Sequence, residues 1–282
     1  MKIELGCVWL ITHHFPVRRT LNLKKVKLVY FSPTGTGKKT VSEIAKGMGY
    51  DTETIDLTPP NAAQETYELD KDELAIIAVP VYGGRVPQTA LDRVKNIRGD
   101  STSAVLVAMY GNRAYEDALL ELHNTTTELG FKTVAGAAFI GKHSFDTEET
   151  PIATGRPDAE DLKKAHAFGA KVMGKIKGMD EVKEIDVPGN YPYKERGGGA
   201  PRSPETDEAS CILCGACARA CPTGCVEVSG VVETQKDRCI SCTACVQSCP
   251  TGARHWKHEG ILRAAKWLST EHGERKEPEI FL

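Results

Sequence analysis

The sequence has no apolar run approaching the ~20 residues a helix needs to cross a bilayer, which excludes a helical membrane span. It has no block of like charge: 36 basic residues stand against 38 acidic ones, so no arm for nucleic acid is present. Neither glycine-rich nucleotide fingerprint is complete. A Walker A loop ending at Gly37-Lys38 would need glycine where Ser32 stands and Ser or Thr where Lys39 stands, and G-x-G-x-x-G fails at Thr40. A nucleoside triphosphatase is therefore disfavoured, and electrons are expected from another protein rather than from a pyridine nucleotide. Cysteine is nearly absent from most of the chain: outside residues 211–249 only Cys7 occurs. A disulfide framework is excluded, and a reducing, cytoplasmic setting is expected.

The cysteines that are present are concentrated. Cys211, Cys214, Cys217 and Cys221, with Pro222 after them, recur 28 positions later as Cys239, Cys242, Cys245, Cys249 and Pro250. Paired C-x2-C elements also build zinc ribbons, but two zinc ions would not need this x2, x2, x3 spacing repeated with its proline. It is the spacing of two 4Fe-4S clusters, each held by one triplet and by the fourth cysteine of the other half. Cys211, Cys214, Cys217 and Cys249 are expected on one cluster, and Cys239, Cys242, Cys245 and Cys221 on the second. Cys225 aligns with Ala253 and falls outside both sets, as a small buried thiol or a redox-sensitive one.

At 282 residues the chain exceeds one typical domain, and the cysteine repeat occupies only about 50 of them. Residues 1–22 are semi-apolar but interrupted. Leu5-Gly6-Cys7 looks like the end of a lipobox with no hydrophobic core before it, so a disordered leader or a mis-set start is expected rather than an export signal. From residue 23 to 179, strand patterns near Val26–Phe31, Thr52–Leu57, Leu74–Val79, Ala104–Met109 and Thr133–Ile140 alternate with helical patterns. The helices are expected over 38–48, 88–97, 114–129 and 159–177. This predicts a doubly wound α/β domain with a five-stranded parallel sheet, whose ligands bind beyond the carboxyl ends of the strands. Residues 180–208, rich in proline, glycine and charge, read as a linker that is either a tether or a surface strap anchored by Tyr191 and Tyr193. A small α+β ferredoxin-type domain is expected over 209–258, and a C-terminal helix and tail over 259–282.

Three loops at strand ends carry the candidate cofactor site. The first, Ser32-Pro33-Thr34-Gly35-Thr36-Gly37-Lys38, offers hydroxyls and helix N-terminal amides to a phosphate, or is a plain tight turn. It resembles the phosphate loop of flavodoxin, Ser/Thr-x-Thr-Gly-Asn/Thr-Thr, departing at Gly37, with Lys38 as a compensating charge. The resemblance extends to Pro80-Val81-Tyr82-Gly83-Gly84 and Tyr110-Gly111-Asn112-Arg113-Ala114-Tyr115, the positions of the two loops that embrace the isoalloxazine ring. It implies FMN, with Tyr82, Tyr110 and Tyr115 as stacking candidates and Gly83, Gly84 and Gly111 as points of close backbone approach. A patternless stretch from Gly141 to Arg156 is expected to cover the flavin, with His143 as a strut or a proton donor. From about Leu23 to Leu282 the chain resembles the flavodoxin-ferredoxin fusions of anaerobes known as EFR1 family ferredoxins. That resemblance implies an electron-transfer protein with FMN and two 4Fe-4S clusters serving redox partner proteins. The alternative is a flavin-dependent reductase of a small molecule such as a quinone, for which the sequence offers no clear acid and base. Oligomeric state is not legible.

Overall fold

A computed structural model describes residues 23–177, 183–197 and 200–282, so the reading of residues 1–22, Cys7 included, lies outside the described residues. The first domain runs β1 (Lys25–Tyr30), α1 (Thr36–Met48), β2 (Thr52–Asp56), β3 (Tyr67–Leu69), β4 (Glu73–Pro80), α2 (Gln88–Val94), β5 (Ile97–Gly99), β6 (Thr102–Tyr110), α3 (Ala118–Glu128), β7 (Phe131–Ile140) and α4 (Ala159–Lys177). Five of these strands pair in parallel in the order β2-β1-β4-β6-β7. With the short β3–β5 pair set aside, this is the 2-1-3-4-5 order of the flavodoxin-like sheet, as the alternating pattern predicts. Strands β4 and β6 are apolar on both faces because helices cover both. Val41, Ile44 and Ala45 of α1 and Phe168 and Val172 of α4 close one side, and Leu91 and Val94 of α2 with Leu119 and Leu122 of α3 close the other.

Helix α2 stops three residues before Ile97, which instead begins β5 beside β3. Helix α3 begins at Ala118 rather than 114, since Asn112 and Glu116 adopt left-handed backbone conformations (φ 67° and 44°) that no α-helix continues through. The described part of the linker is a strap rather than a tether. Ile185 N–H donates to Thr133 O at 2.9 Å, and the amides of Asn190 and Lys194 donate to the Asp117 carboxylate at 2.8 and 2.6 Å. Tyr193 is its aromatic anchor, accepting from Asn124 and lying under the Arg85 guanidinium at 4.6 Å, whereas Tyr191 is 79 % exposed.

The second domain is built from two antiparallel ribbons, β8 (Glu205–Thr206) with β11 (Arg254–His255) and β9 (Val226–Val228) with β10 (Val232–Thr234). Two one-turn helices, α5 (Ala216–Arg219) and α6 (Ala244–Gln247), each carry the third cysteine of a triplet. The chain then returns to the first domain through α7 (Glu259–Glu271), which buries Ile261, Ala265 and Leu268. It ends in β12 (Glu279–Phe281), antiparallel to β7. Among the described residues the sheet therefore has six strands, not five. The sixth pairs Glu279, Ile280 and Phe281 with Ala138, Ala137 and Gly136. Among the described residues no helix is long and apolar enough to cross a membrane.

Candidate functional site

At the carboxyl ends of the parallel strands lies a cavity of about 650 Å³, within the range usual for cofactor sites. It brings together Ser32, Thr34, Thr36 and Gly37 from the first loop, Pro80, Val81, Tyr82 and Gly83 from the second, and Tyr110 and Gly111 from the third. The first loop is shaped by its own hydroxyl. Ser32 Oγ accepts the Lys38 amide at 3.1 Å, and Gly35, in the left-handed region, caps α1 while donating to Ser32 O at 3.0 Å. Gly35 and Lys38 thus frame the loop from outside the cavity wall. The remaining first-turn amides of α1 have no intrahelical acceptor, which with Thr34 and Thr36 makes the donor set a phosphate monoester needs. The fit to FMN is good at this end.

Asn112, Arg113 and Tyr115 do not line the cavity. Asn112 is 1 % exposed and its amide donates to His272 O and Glu274 O at 2.6 and 2.7 Å. Arg113 pairs with Glu116, and the Tyr115 hydroxyl donates to Glu279 at 2.8 Å on β12. Tyr115 still meets Tyr110 edge-on, at 5.4 Å between centroids. The glycines divide similarly. Gly83, at φ 61°, faces open space, whereas a Cβ on Gly84 would fall 1.6 Å from the Glu116 carboxylate and one on Gly111 2.3 Å from the His143 ring. Of the three, Gly83 and Gly111 line the cavity and Gly84 does not.

Three further stretches contribute to the wall: Gly141–Phe145 after β7, which the sequence placed over the site, and Arg196–Gly197 with Ala200–Arg202 of the strap and Cys239–Ser241 with Lys236 and Asp237 of the second cysteine triplet, which it did not. The loop after β7 was expected over the site, and it contributes His143 and Phe145. His143 Nδ1 accepts the Phe145 amide at 2.9 Å, and burial, against the pull of Asp146, lowers its pKa to about 4. At neutral pH it is an uncharged strut. Because the unfolded imidazole titrates near its ordinary 6.5, stability from the neutral form is full above that value and is lost as pH falls toward 4. The loss is bounded at about 3 kcal/mol. His143→Gln is expected to flatten melting temperature against pH across that window relative to wild type; parallel curves would show that His143 does not carry the dependence.

The thiols ring two small pockets. Cys221, Cys239, Cys242 and Cys245 line one, with Cys225, and Cys211, Cys214, Cys217 and Cys249 line the other. Each triplet is thus joined by the fourth cysteine of the other half. Among the described residues no three such side chains converge on a point where a single ion would sit. Burial pushes the Cys242 thiol up to about 12, and the Cys225 contact followed by burial does the same for Cys221, so a cluster held here would have to draw off these protons. Cys225 is 1 % exposed, with its sulfur 3.5 Å from that of Cys221.

The two domains meet at this second triplet. Arg93 of α2, 4 % exposed, lies over the Phe31 ring and donates to Leu57 O and Thr58 O in its own domain and to Pro222 O in the other. Phe145 meets Trp256 edge-on at 6.0 Å. Burial, and after it Cys242 and Cys239, holds the Tyr82 hydroxyl well above its ordinary pKa, which puts this cavity residue beside the thiols.

Residues 210–253 match the family model of the 4Fe-4S dicluster domain. No curated protein matches the chain. Solved structures similar to it include a flavodoxin from the domain Archaea, 14 % identical over 54 % of this chain and 99 % of its own, with a TM-score of 0.36. Another is the two-electron reduced flavodoxin of Megasphaera elsdenii, 16 % identical over 52 % and 98 %, at 0.35. A third is rubredoxin oxygen:oxidoreductase from the anaerobe Desulfovibrio gigas, 14 % identical over 55 % of this chain and 36 % of that one, at 0.39. By its own strand order and its matched cysteine domain, the chain joins a flavodoxin-like α/β domain to a 4Fe-4S ferredoxin domain, a combination suited to electron transfer or redox work.

Proposed function

We propose that the protein carries electrons between redox partner proteins, holding FMN in the 650 Å³ cavity and a 4Fe-4S cluster in each thiol pocket. One observation carries the reading: Cys239, Ile240 and Ser241 of the second triplet form part of the cavity wall itself. FMN exchanges two electrons where each cluster exchanges one, so their juxtaposition joins two-electron and one-electron partners. The chain's own residues supply order and direction. Ser32, Thr34, Thr36 and the α1 amides would hold the phosphate, while Tyr82, in the same cavity wall, lies near Cys242 and Cys239 of the second pocket. The first pocket faces outward, with Cys214 exposed and Ile212 and Leu213 64 % and 44 % exposed beside it. A partner protein would dock there. Arg93 and the Phe145–Trp256 contact join the two domains, so the path needs no diffusing carrier. The resemblance to EFR1 family ferredoxins fits the same reading.

Anaerobically purified protein is expected to contain one FMN and two 4Fe-4S clusters per chain. A one-electron donor should reduce the flavin at a rate independent of protein concentration, followed by stopped-flow absorbance. A rate that rises with concentration, or protein free of flavin, would defeat the proposal. At the phosphate end, Thr34→Ala with Thr36→Ala should weaken FMN binding by on the order of 1 to 2 kcal/mol per lost charge-assisted bond, which is about thirty- to a thousandfold in Kd for the pair. Riboflavin, which lacks the phosphate, should bind both proteins equally in a fluorescence titration. Equal FMN affinity in the two proteins would put the phosphate elsewhere.

A further inference from the structure

Arg254 occupies a place where a charge is costly. It is 3 % exposed and forms part of the wall of both thiol pockets. Its guanidinium donates to Thr206 Oγ1 at 2.8 Å and Thr234 Oγ1 at 3.1 Å, and Nη2 approaches Cys245 Sγ at 3.7 Å. Its Nε, fully buried, has no partner, and among the described residues no carboxylate pairs with it. Uncharged hydroxyls do not neutralise a buried cation, and an unpaired one is strongly disfavoured. Packing does not demand it either. The position 28 earlier in the repeat is Val226, 5 % exposed, so an apolar side chain serves the same place in the other half.

We propose that Arg254 is the shared counter-charge of the two clusters, a positioning residue that raises both of their reduction potentials. This rests on the two-cluster reading above. A cubane bound by four thiolates is anionic, and uptake of an electron makes it more so. A fixed cation between two such groups is paired with both, and it favours the reduced form of each by charge and by N–H···S bonding. The desolvation that makes Arg254 anomalous in the protein alone is thereby compensated. The same low dielectric strengthens its hold on the added electron.

The test is a potentiometric titration of the full-length, anaerobically purified protein, followed by EPR, with Arg254→Gln, Arg254→Met and Arg254→Lys. Arg254→Met copies the apolar residue of the other half and is expected to keep its iron even if the buried amide of Arg254→Gln does not. In the neutral variants the equilibrium constant for reduction should fall on the order of tenfold at both clusters, which is 59 mV for one electron. Arg254→Lys, which loses the fork but keeps the charge, should stay nearer wild type at both. An iron-replete neutral variant with unchanged potentials overturns the proposal. So does a shift at one cluster alone, which a local brace between Thr206 and Thr234 would give, or a lysine variant displaced as far as methionine. If neither neutral variant takes up iron, the lysine variant decides alone, and a tenfold fall in its own equilibrium constant for reduction overturns the proposal. Wild-type protein with iron for fewer than two clusters would instead bring down the two-cluster reading, and this proposal with it.

Discussion

Cys221→Ala should perturb the EPR signal of the cluster anchored by Cys239, Cys242 and Cys245 and leave that of Cys211, Cys214 and Cys217 intact; Cys249→Ala should do the reverse. Proximity in sequence would predict the opposite pairing. The geometry behind the expectation is local. After Cys221 and Pro222 the backbone turns through Gly224, at φ 62°, and after Cys249 and Pro250 through Gly252, at φ 70°. Each turn carries the fourth thiol away from its own triplet and into the wall of the other pocket. Cys225 complicates the first substitution, because its sulfur lies 3.5 Å from that of Cys221 and can substitute for it. The double variant Cys221→Ala with Cys225→Ala is therefore the decisive one, with complete loss of one signal expected. If it removes the signal that Cys214→Ala removes, ligation is not crossed, and the ordering of the clusters from flavin to surface falls with it.

The parallel sheet was legible because its strands are buried on both faces, so β4 and β6 are continuous apolar runs bounded by turns. The cysteine repeat was legible because cluster ligation fixes spacing. What was hidden depends on partners distant in the chain. Asn112, Arg113 and Tyr115 sit in the loop that flavodoxin uses around its ring, and their local sequence suits that role. Here the returning tail engages all three regions of that loop: Asn112 through carbonyls of residues 272 and 274, Tyr115 through Glu279, and Arg113 through its own carbonyl, which accepts from Lys276. No pattern in residues 110–115 foretells a partner more than 150 positions away.

The strap shows the same limit. Proline and glycine mark residues 180–208 as a linker, but its course is set by carboxylates in α3 and the turn before it. Asp117, 2 % exposed, takes the amides of Asn190 and Lys194, and Glu121, 4 % exposed, takes Arg85 and Arg196. Buried carboxylates in a helix otherwise amphipathic are a sequence signal that something basic or amide-rich must cover them. Through Arg196 that covering segment also reaches the cofactor cavity, so the linker contributes to the site it appears only to leave.

Deleting residues 274–282 should destabilise the flavodoxin-like domain by on the order of 3 to 5 kcal/mol, the net worth of a few hydrogen bonds at about 1 kcal/mol each plus the cost of buried groups left unpaired. Asn112 would lose the Glu274 carbonyl, Arg156, 6 % exposed and paired with Asp161, would lose the Lys276 carbonyl, and Tyr115 would lose Glu279. Arg275 would no longer reach Asp158. Removing β12 also bares the edge of β7, whose ten residues are almost wholly buried, and an uncovered apolar edge strand invites association between chains. Since every one of these contacts lies on the first domain, iron content should be unchanged while the urea midpoint falls and the protein self-associates on warming. A fragment ending at residue 179 lacks the strap as well and should fare worse than the tail deletion. The two domains are therefore interleaved in sequence: the tail that follows the ferredoxin domain completes the sheet that precedes it. A tail-deleted protein with the wild-type urea midpoint and no association would show that β12 rests on the sheet without supporting it.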